Sequence, residues 1–213
     1  MFNGCRSLRY IPKNFIRDMN ASYIGSTSTV YYRGFNCCFT LDELTKLPLY
    51  ENKEMSSNIF YQTFDYCYRL SRIVFFMPKV DNVAVPGTAK WSNQTIDLSK
   101  CVGYAENTGN ITGYNSGITA DKQVSDNATY QALKNDPDWF SCDINYSRYN
   151  HNSAVETINS LPDTSAYLTA NGGTNTIKFS GASGALTDGG AINTLTEEEI
   201  AVATAKGWTV SLV

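Results

Sequence analysis

One phrase constrains this 213-residue chain more than any other feature. Phe-x-x-Cys-x-x-Leu occurs three times in its first third, as Phe2-Asn-Gly-Cys5-Arg-Ser-Leu8, Phe35-Asn-Cys-Cys38-Phe-Thr-Leu41 and Phe64-Asp-Tyr-Cys67-Tyr-Arg-Leu70. The copies begin at positions 2, 35 and 64, a spacing of 33 and then 29 residues. Three residues beyond each Leu stands an aliphatic, Ile11, Leu44 or Ile73, and each copy then reaches a proline, Pro12, Pro48 or Pro78. Seven residues past each proline comes another apolar side chain, Met19, Met55 or Val85. A unit this small cannot bury its apolar face alone, so a period in this range is the signature of units that stack. Stacking predicts a structural ladder of Phe2, Phe35 and Phe64, of Cys5, Cys38 and Cys67, and of Leu8, Leu41 and Leu70. The cysteines act as small fillers where the chain turns. The Leu and the aliphatic after it face inward from a short strand, which proline closes because it cannot donate to a sheet ladder.

These residues resemble the irregular leucine-rich repeats of the BspA-like family. Its typical repeat is close to Met-Phe-x-x-Cys-x-x-Leu-x-x-Ile-Pro, and Met1 to Pro12 follow it almost position for position. Copies two and three carry extra residues between Leu and proline. The closing stretch from Leu195 to Leu212 resembles the last segment of such arrays. The likeness covers roughly residues 1–85 and 150–213. It implies a β-rich α/β fold, namely an irregular leucine-rich-repeat solenoid with short strands and a small C-terminal helix-strand cap. It also implies a non-enzymatic, outward-facing binding or structural domain of a bacterial surface or a phage virion.

Three regions follow: a repeat region over 1–85, a loop-rich insertion with one short helix over 86–150, and a capping α/β segment over 151–213. Val30-Tyr-Tyr leads into the second copy and Ile59-Phe-Tyr into the third. In the insertion, Pro86-Gly87, Asn107-Thr-Gly109 and Asn115-Ser-Gly117 are turn signals, and Ile96-Asp-Leu98 is a candidate short rung before Cys101. Tyr104 and Tyr114 mark this stretch as a possible binding loop, since loops on rigid scaffolds often carry recognition; a passive connector is the other reading. A short helix is expected near Asn127 to Lys134, ended by Asp136-Pro137, with Trp139-Phe140 as an apolar anchor. In the last region Ser153 and Glu156 fit a capping box, which predicts a helix over 154–160 with Val155, Ile158 and Leu161 inward. Thr174 to Phe179 reads as a strand. Thr196 and Glu199 form a second capping box for a helix through Ala205, with Ile200, Ala203 and Thr204 inward. Gly207 is its expected left-handed cap, and Trp208 packs back before a last strand over 209–213.

Composition narrows the partners. Charged residues are only 17% of the chain against a typical quarter, and 14 tyrosines join Asn, Ser and Thr on the surface. Tyrosine gives contact area at low entropic cost, as in paratopes. A net charge of −3 with no basic patch argues against nucleic acid. No apolar run approaches the ~18 residues of a membrane span. No charged segment followed by an apolar core opens the sequence. That predicts either assembly inside a cell and release by lysis, or a segment of a longer chain.

Chemistry-bearing motifs are sparse. Of the six cysteines, Cys5, Cys38 and Cys67 are phased with the repeat and read as buried thiols rather than a disulfide framework. Cys37 falls outside the ladder, and no Cys-x-x-Cys pair supports zinc. His151, the one histidine, lies near Cys142 in sequence, but no nucleophile signature surrounds the pair. The Gly181 to Gly190 loop lacks a phosphate-binding pattern. Glu197, Glu198 and Glu199 complement a helix dipole. Calcium has no EF-hand spacing to support it. The five Asn-x-Ser/Thr triplets, at Asn20, Asn93, Asn110, Asn127 and Asn145, reflect composition. The expectation is therefore a non-enzyme with no catalytic, cofactor or metal residues, displayed extracellularly. Its partners would be a host cell-surface protein or glycan, or neighbouring virion proteins, with a homo-oligomer left open. A purely structural spacer of a virion is the alternative and a hydrolase the remote one.

Overall fold

The structure, a computed structural model, describes residues 2–5, 8–11, 31–38, 41–48, 58–67, 70–76, 89–99, 101, 149–181 and 192–213. The elements in chain order are β1 (Glu43–Pro48), β2 (Arg72–Phe76), β3 (Thr95–Asp97), α1 (His151–Ser160), α2 (Ser165–Asn171), β4 (Asn175–Phe179), a 3-10 turn (Ile192–Thr194), α3 (Glu197–Ala205) and β5 (Trp208–Leu212). They form two parallel sheets, β1-β2 and β3-β4-β5.

The leucine-rich-repeat solenoid with a separate cap is corrected by this arrangement: among the described residues, two small parallel sheets and three helices stand where one continuous ladder was expected. Two physical causes are visible. First, the phrase folds as tight turns through its Leu, and strand begins only after Leu41 and Leu70, so the Leu expected in the strand stays in the turn while Leu44 and Ile73 lie in β1 and β2. Cys5, Cys38 and Cys67 each donate N–H to the carbonyl of the Phe three residues before, and Leu8, Leu41 and Leu70 do the same to the Cys. Arg33, Cys37, Gln62 and Tyr66 adopt positive φ, between 51° and 64°. Second, backbone pairing is replaced by side chains between the turn at 58–60 and the start of β3. There the Ile59 N–H donates to Gln94 Oε1 (3.0 Å) and the Thr95 N–H to Asn58 Oδ1 (3.2 Å). The C-terminal third does not close the molecule from outside. It supplies two of the three strands of the second sheet and a helix against the first.

β1 and β2 follow Leu41 and Leu70 directly, pairing Leu44 with Ile73. Ile11, their counterpart in the first copy, is buried but lies in no strand. Helix α1 covers the free edge of β2. Thr157 Oγ1 donates to the Ile73 carbonyl (2.8 Å) and the Phe75 N–H donates to Ser160 Oγ (3.0 Å), so the edge groups are satisfied by hydroxyls instead of a further strand. Arg72 pairs with Glu156 beside them.

α1 begins at His151, three residues before its predicted start. Asn150 is the cap and Ser153 the reciprocal partner, which frees Glu156 to meet Arg72. Its buried positions are Ser153, Ala154, Thr157 and Ile158; Val155 is only half-buried. α3 follows the expected Thr196 and Glu199 capping box, with Ala203 buried, Ile200 half-buried and Thr204 exposed rather than inward. Past its end, Gly207 has φ of 82°, and a Cβ there would meet Thr164 Oγ1 at 2.8 Å, so glycine is required twice over. Trp208 packs back and donates Nε1–H to the Pro162 carbonyl (2.9 Å). β4 alternates with Asn175, Ile177 and Phe179 buried.

The short helix α2 is absent from the expectations; its Ser/Thr/Asn-rich sequence has no buried stripe to reveal it. The helix expected near 127–134, the Trp139-Phe140 anchor and the prolines Pro12 and Pro78 lie outside the described residues.

One buried amide ties these parts together. Asn175 accepts from the Gln94 N–H (2.9 Å) and donates to the Trp91 carbonyl (3.1 Å) and to Thr164 Oγ1 (3.1 Å). It thus joins β4 to the approach to β3 and to the start of α2. A fully satisfied buried amide of this kind specifies register as well as stability.

Candidate functional site

The ladder residues go to the core. The Phe2 and Phe35 rings stack at 5.8 Å and the Phe35 and Phe64 rings at 6.2 Å. Each thiol reaches back to the phenylalanine carbonyl of the copy before it: Cys38 to Phe2 (3.0 Å) and Cys67 to Phe35 (3.1 Å). Cys101 does the same to Phe64 (3.2 Å), with Leu98 three residues before it in the phenylalanine place. Leu98-x-x-Cys101 thus takes the place of a fourth copy, where the sequence suggested only a short rung, Ile96-Asp-Leu98, before Cys101. Phe35, Cys38, Leu41, Phe64, Cys67 and Leu70 are buried, whereas Phe2 and Leu8 are half-buried and Cys5 is exposed. Cys5 is therefore corrected from a buried filler to a surface thiol. Burial pushes the Cys38 thiol up to about 12 and those of Cys67 and Cys101 well above the ordinary range. All three stay protonated and donate, which makes them structural rather than nucleophilic.

A second, outward-facing set sits on the same turns. Tyr31 and Phe60 point inward and stack at 5.5 Å, while Phe60 meets Trp91 edge-on at 6.3 Å. The next residues in the chain, Tyr32 and Tyr61, point outward. They stack on each other at 5.1 Å with 21° between planes, yet are 45% and 44% exposed. Backbone pairing sets the register: the N–H groups of Arg33, Phe35 and Cys37 donate to the carbonyls of Tyr61, Thr63 and Asp65.

Arg33 completes the cluster. Its guanidinium carbon lies 5.7 Å from the Tyr32 ring centre and 5.9 Å from that of Tyr61, and its Nε donates to Gln62 Oε1 at 2.8 Å. Among the described residues the terminal guanidinium nitrogens and both tyrosine hydroxyls have no partner. Arg33 and Gln62 each hold φ of 51°, a left-handed position where glycine would avoid roughly 1–2 kcal/mol of strain. Two long polar side chains thus occupy matching backbone positions that disfavour them.

The signal was present in the sequence. Tyr32 and Tyr61 each stand three residues before the phrase phenylalanine, so the repeated unit is longer than the phrase. Reading it from Phe onward split the outward tyrosines from the inward core. The expected binding loop at Tyr104 and Tyr114 lies outside the described residues.

His151 opens α1 and reaches both the 3-10 turn and α3. One ring nitrogen is 2.9 Å from Thr194 Oγ1 and the other 2.9 Å from Glu199 Oε1, while Glu199 also closes the α3 capping box through Oε2. The Thr196 N–H, then His151, holds the Glu199 carboxyl below the usual carboxylate range. With both nitrogens engaged, His151 staples α1 to α3. Cys142, its possible nucleophilic partner by sequence, lies outside the described residues, as does Gly181 to Gly190 beyond its first residue. Among the described residues no group of three or more His, Cys, Asp or Glu side chains converges to hold a metal ion.

Compared with known proteins, the chain matches no family model, no curated protein and no solved structure. The likeness to BspA-like repeats rests on the residues quoted for it above.

Proposed function

We propose that this chain is a non-enzymatic binding domain displayed on a phage particle or a bacterial surface. It contacts a host protein or glycan through Tyr32, Arg33, Tyr61 and Gln62. The observation that carries this reading is the pair of stacked yet half-exposed tyrosines with a guanidinium against both rings. Aromatic rings and arginine are the side chains that most often dominate binding energy at interfaces. Here their geometry is fixed before any partner arrives, which lowers the ordering cost of association. Low charge and a Tyr-rich, Asn-rich surface agree with recognition by contact area and hydrogen bonds.

The test is cell binding by a multimerised form of the chain, followed by flow cytometry on candidate host cells. The Tyr32→Ala/Tyr61→Ala double variant should lose at least about ten-fold in apparent affinity while its circular dichroism is unchanged. Binding to no cell type at high avidity, or an undiminished double variant, removes this reading.

A further inference from the structure

We infer that the ligand of this surface is an acidic glycan: a sugar chain carrying carboxylate or sulfate groups, with Arg33 as the ionic anchor. The inference rests on the binding reading above and adds the ligand class to it.

Three features of the cluster point this way. The first is the state of Arg33. Its Nε is committed to Gln62, which fixes the plane of the guanidinium, while its terminal nitrogens have no hydrogen-bond or ion-pair partner among the described residues. A planar fork whose end edge, the two terminal nitrogens, is free matches a carboxylate or sulfate, where paired N–H groups give charge-assisted bonds. Arg72 shows the contrast: it meets Glu156 within the chain and is already neutralised.

The second feature is the surface around Arg33. The stacked pair of tyrosine rings lies on one side of it, and the carboxamide of Gln62 lies beside it. A sugar presents CH-rich faces together with hydroxyls that donate and accept. Aromatic rings, phenol hydroxyls and carboxamides are their complement.

The third is what the fold leaves to an extended peptide, the other acidic candidate. A peptide would best add to a free sheet edge. The edge of β2, the strand that follows the Tyr61 turn in the chain, is already closed by Thr157 and Ser160 of α1. The Tyr32–Tyr61 surface lies on turns and offers no strand ladder. A sugar chain needs neither.

The register of Arg33 and Gln62 fits the same role. Both sit at left-handed positions in consecutive copies, so each side chain stands at one fixed place on the surface at a cost in backbone strain.

The experiment uses the full chain immobilised at a defined density, with three soluble probes: 3′-sialyllactose and a sulfated heparin hexasaccharide as acidic sugars, and lactose as the neutral one. A poly-glutamate peptide is a fourth probe for charge without sugar. At least one acidic sugar should bind about ten-fold or more tightly than lactose, with affinity falling as salt rises. Arg33→Gln should erase that preference. Gln62→Ala, which releases the guanidinium from its anchor, should weaken it in part.

Equal binding of acidic and neutral sugars overturns the inference, as does an unchanged preference in Arg33→Gln; in both cases the binding reading survives. Preference for poly-glutamate over every sugar replaces the glycan with an acidic protein. Binding to cells without binding to any probe overturns the acidic-glycan assignment alone. Absence of cell binding removes both proposals.

Discussion

The repeat region and the C-terminal third solve the same problem, burying apolar surface, by different means. Among the described residues of 31–76 the two turns build their core from stacked rings, beside the buried leucines and Ile73. Phe35 lies on Phe64, Tyr31 on Phe60, and the thiols fill the turns between them. The turns at 31–38 and 58–67 are held row to row by N–H···O bonds from Arg33, Phe35 and Cys37, and β1 follows the first of them in the chain and β2 the second. Over residues 149–213 the core comes from regular elements with defined ends. α1 and α3 each carry a full capping box, and β4 and β5 pair over five residues in unbroken parallel register. The first region gets its order from side chains of residues some thirty positions apart. The second gets much of its order locally. The comparison explains why an outward aromatic pair can be so regular on a surface built from turns: the inward row below fixes its register.

Substitutions sharpen this contrast. The largest effect is expected at Phe64, whose ring is fully buried against Phe35. Phe64→Ala should cost about 4 kcal/mol in urea unfolding, by lost transfer energy plus a cavity. Phe2→Ala should cost about 1 kcal/mol, because Phe2 is only half-buried and contributes one stacked face. Equal costs at the two positions would break the picture of a ladder buried from the second copy onward.

The next effect belongs to the other region. Asn175→Ala removes one buried side chain but strands two groups, the Gln94 N–H and the Trp91 carbonyl, while the Thr164 hydroxyl keeps its bond to the Lys206 carbonyl. At about 1–3 kcal/mol for leaving buried polar groups unpaired, a loss of about 3 kcal/mol is expected. Hydrogen exchange should show the loosening in β3 and β4 before β1 and β2. Uniform loosening of both sheets would mean the two regions open as one unit.

The smallest effect joins the regions. The Arg72 guanidinium holds the Glu156 carboxyl below its ordinary value of 4.5. A lowered folded-state value stabilises above pH 4.5 and loses that contribution as pH falls through the lowered value. Both side chains are more than a third exposed, so the pair contributes no more than about 1 kcal/mol. The stability difference between the native chain and Glu156→Gln should be present at pH 7 and vanish in stronger acid. A difference that persists there would assign the effect of Glu156 to packing.

The two regions also differ in how far the sequence disclosed them. α3 begins and ends where Thr196, Glu199 and Gly207 indicate, because capping is a contact between residues three or four apart. α1 starts earlier than Ser153 and Glu156 suggest, because Asn150 and Ser153 also satisfy a cap and Arg72, far away in the chain, claims Glu156. In the repeat region, periodicity marked which side chains meet but not the backbone that presents them. The same Phe, Cys and Leu positions serve a strand or a turn. The positive φ of Cys37 and Tyr66, non-glycine residues, carries no sequence mark. The exposed pair Tyr32 and Tyr61 stood in plain view as a repeat, yet whether a tyrosine faces in or out depends on what its neighbours enclose.

The amino-acid sequence by itself therefore determined the pairing of distant copies, the buried thiols of Cys38 and Cys67, and the ends of the last helix. Each follows from spacing or from a short-range contact. Only the tertiary structure decided that the strands divide into two sheets and that α1 closes one of their edges. It also set the Arg33 guanidinium beside the stacked Tyr32 and Tyr61 rings, with its Nε bonded to Gln62. Those outcomes depend on residues far apart in the chain competing for the same hydrogen bonds and the same buried space, a competition that no local pattern records.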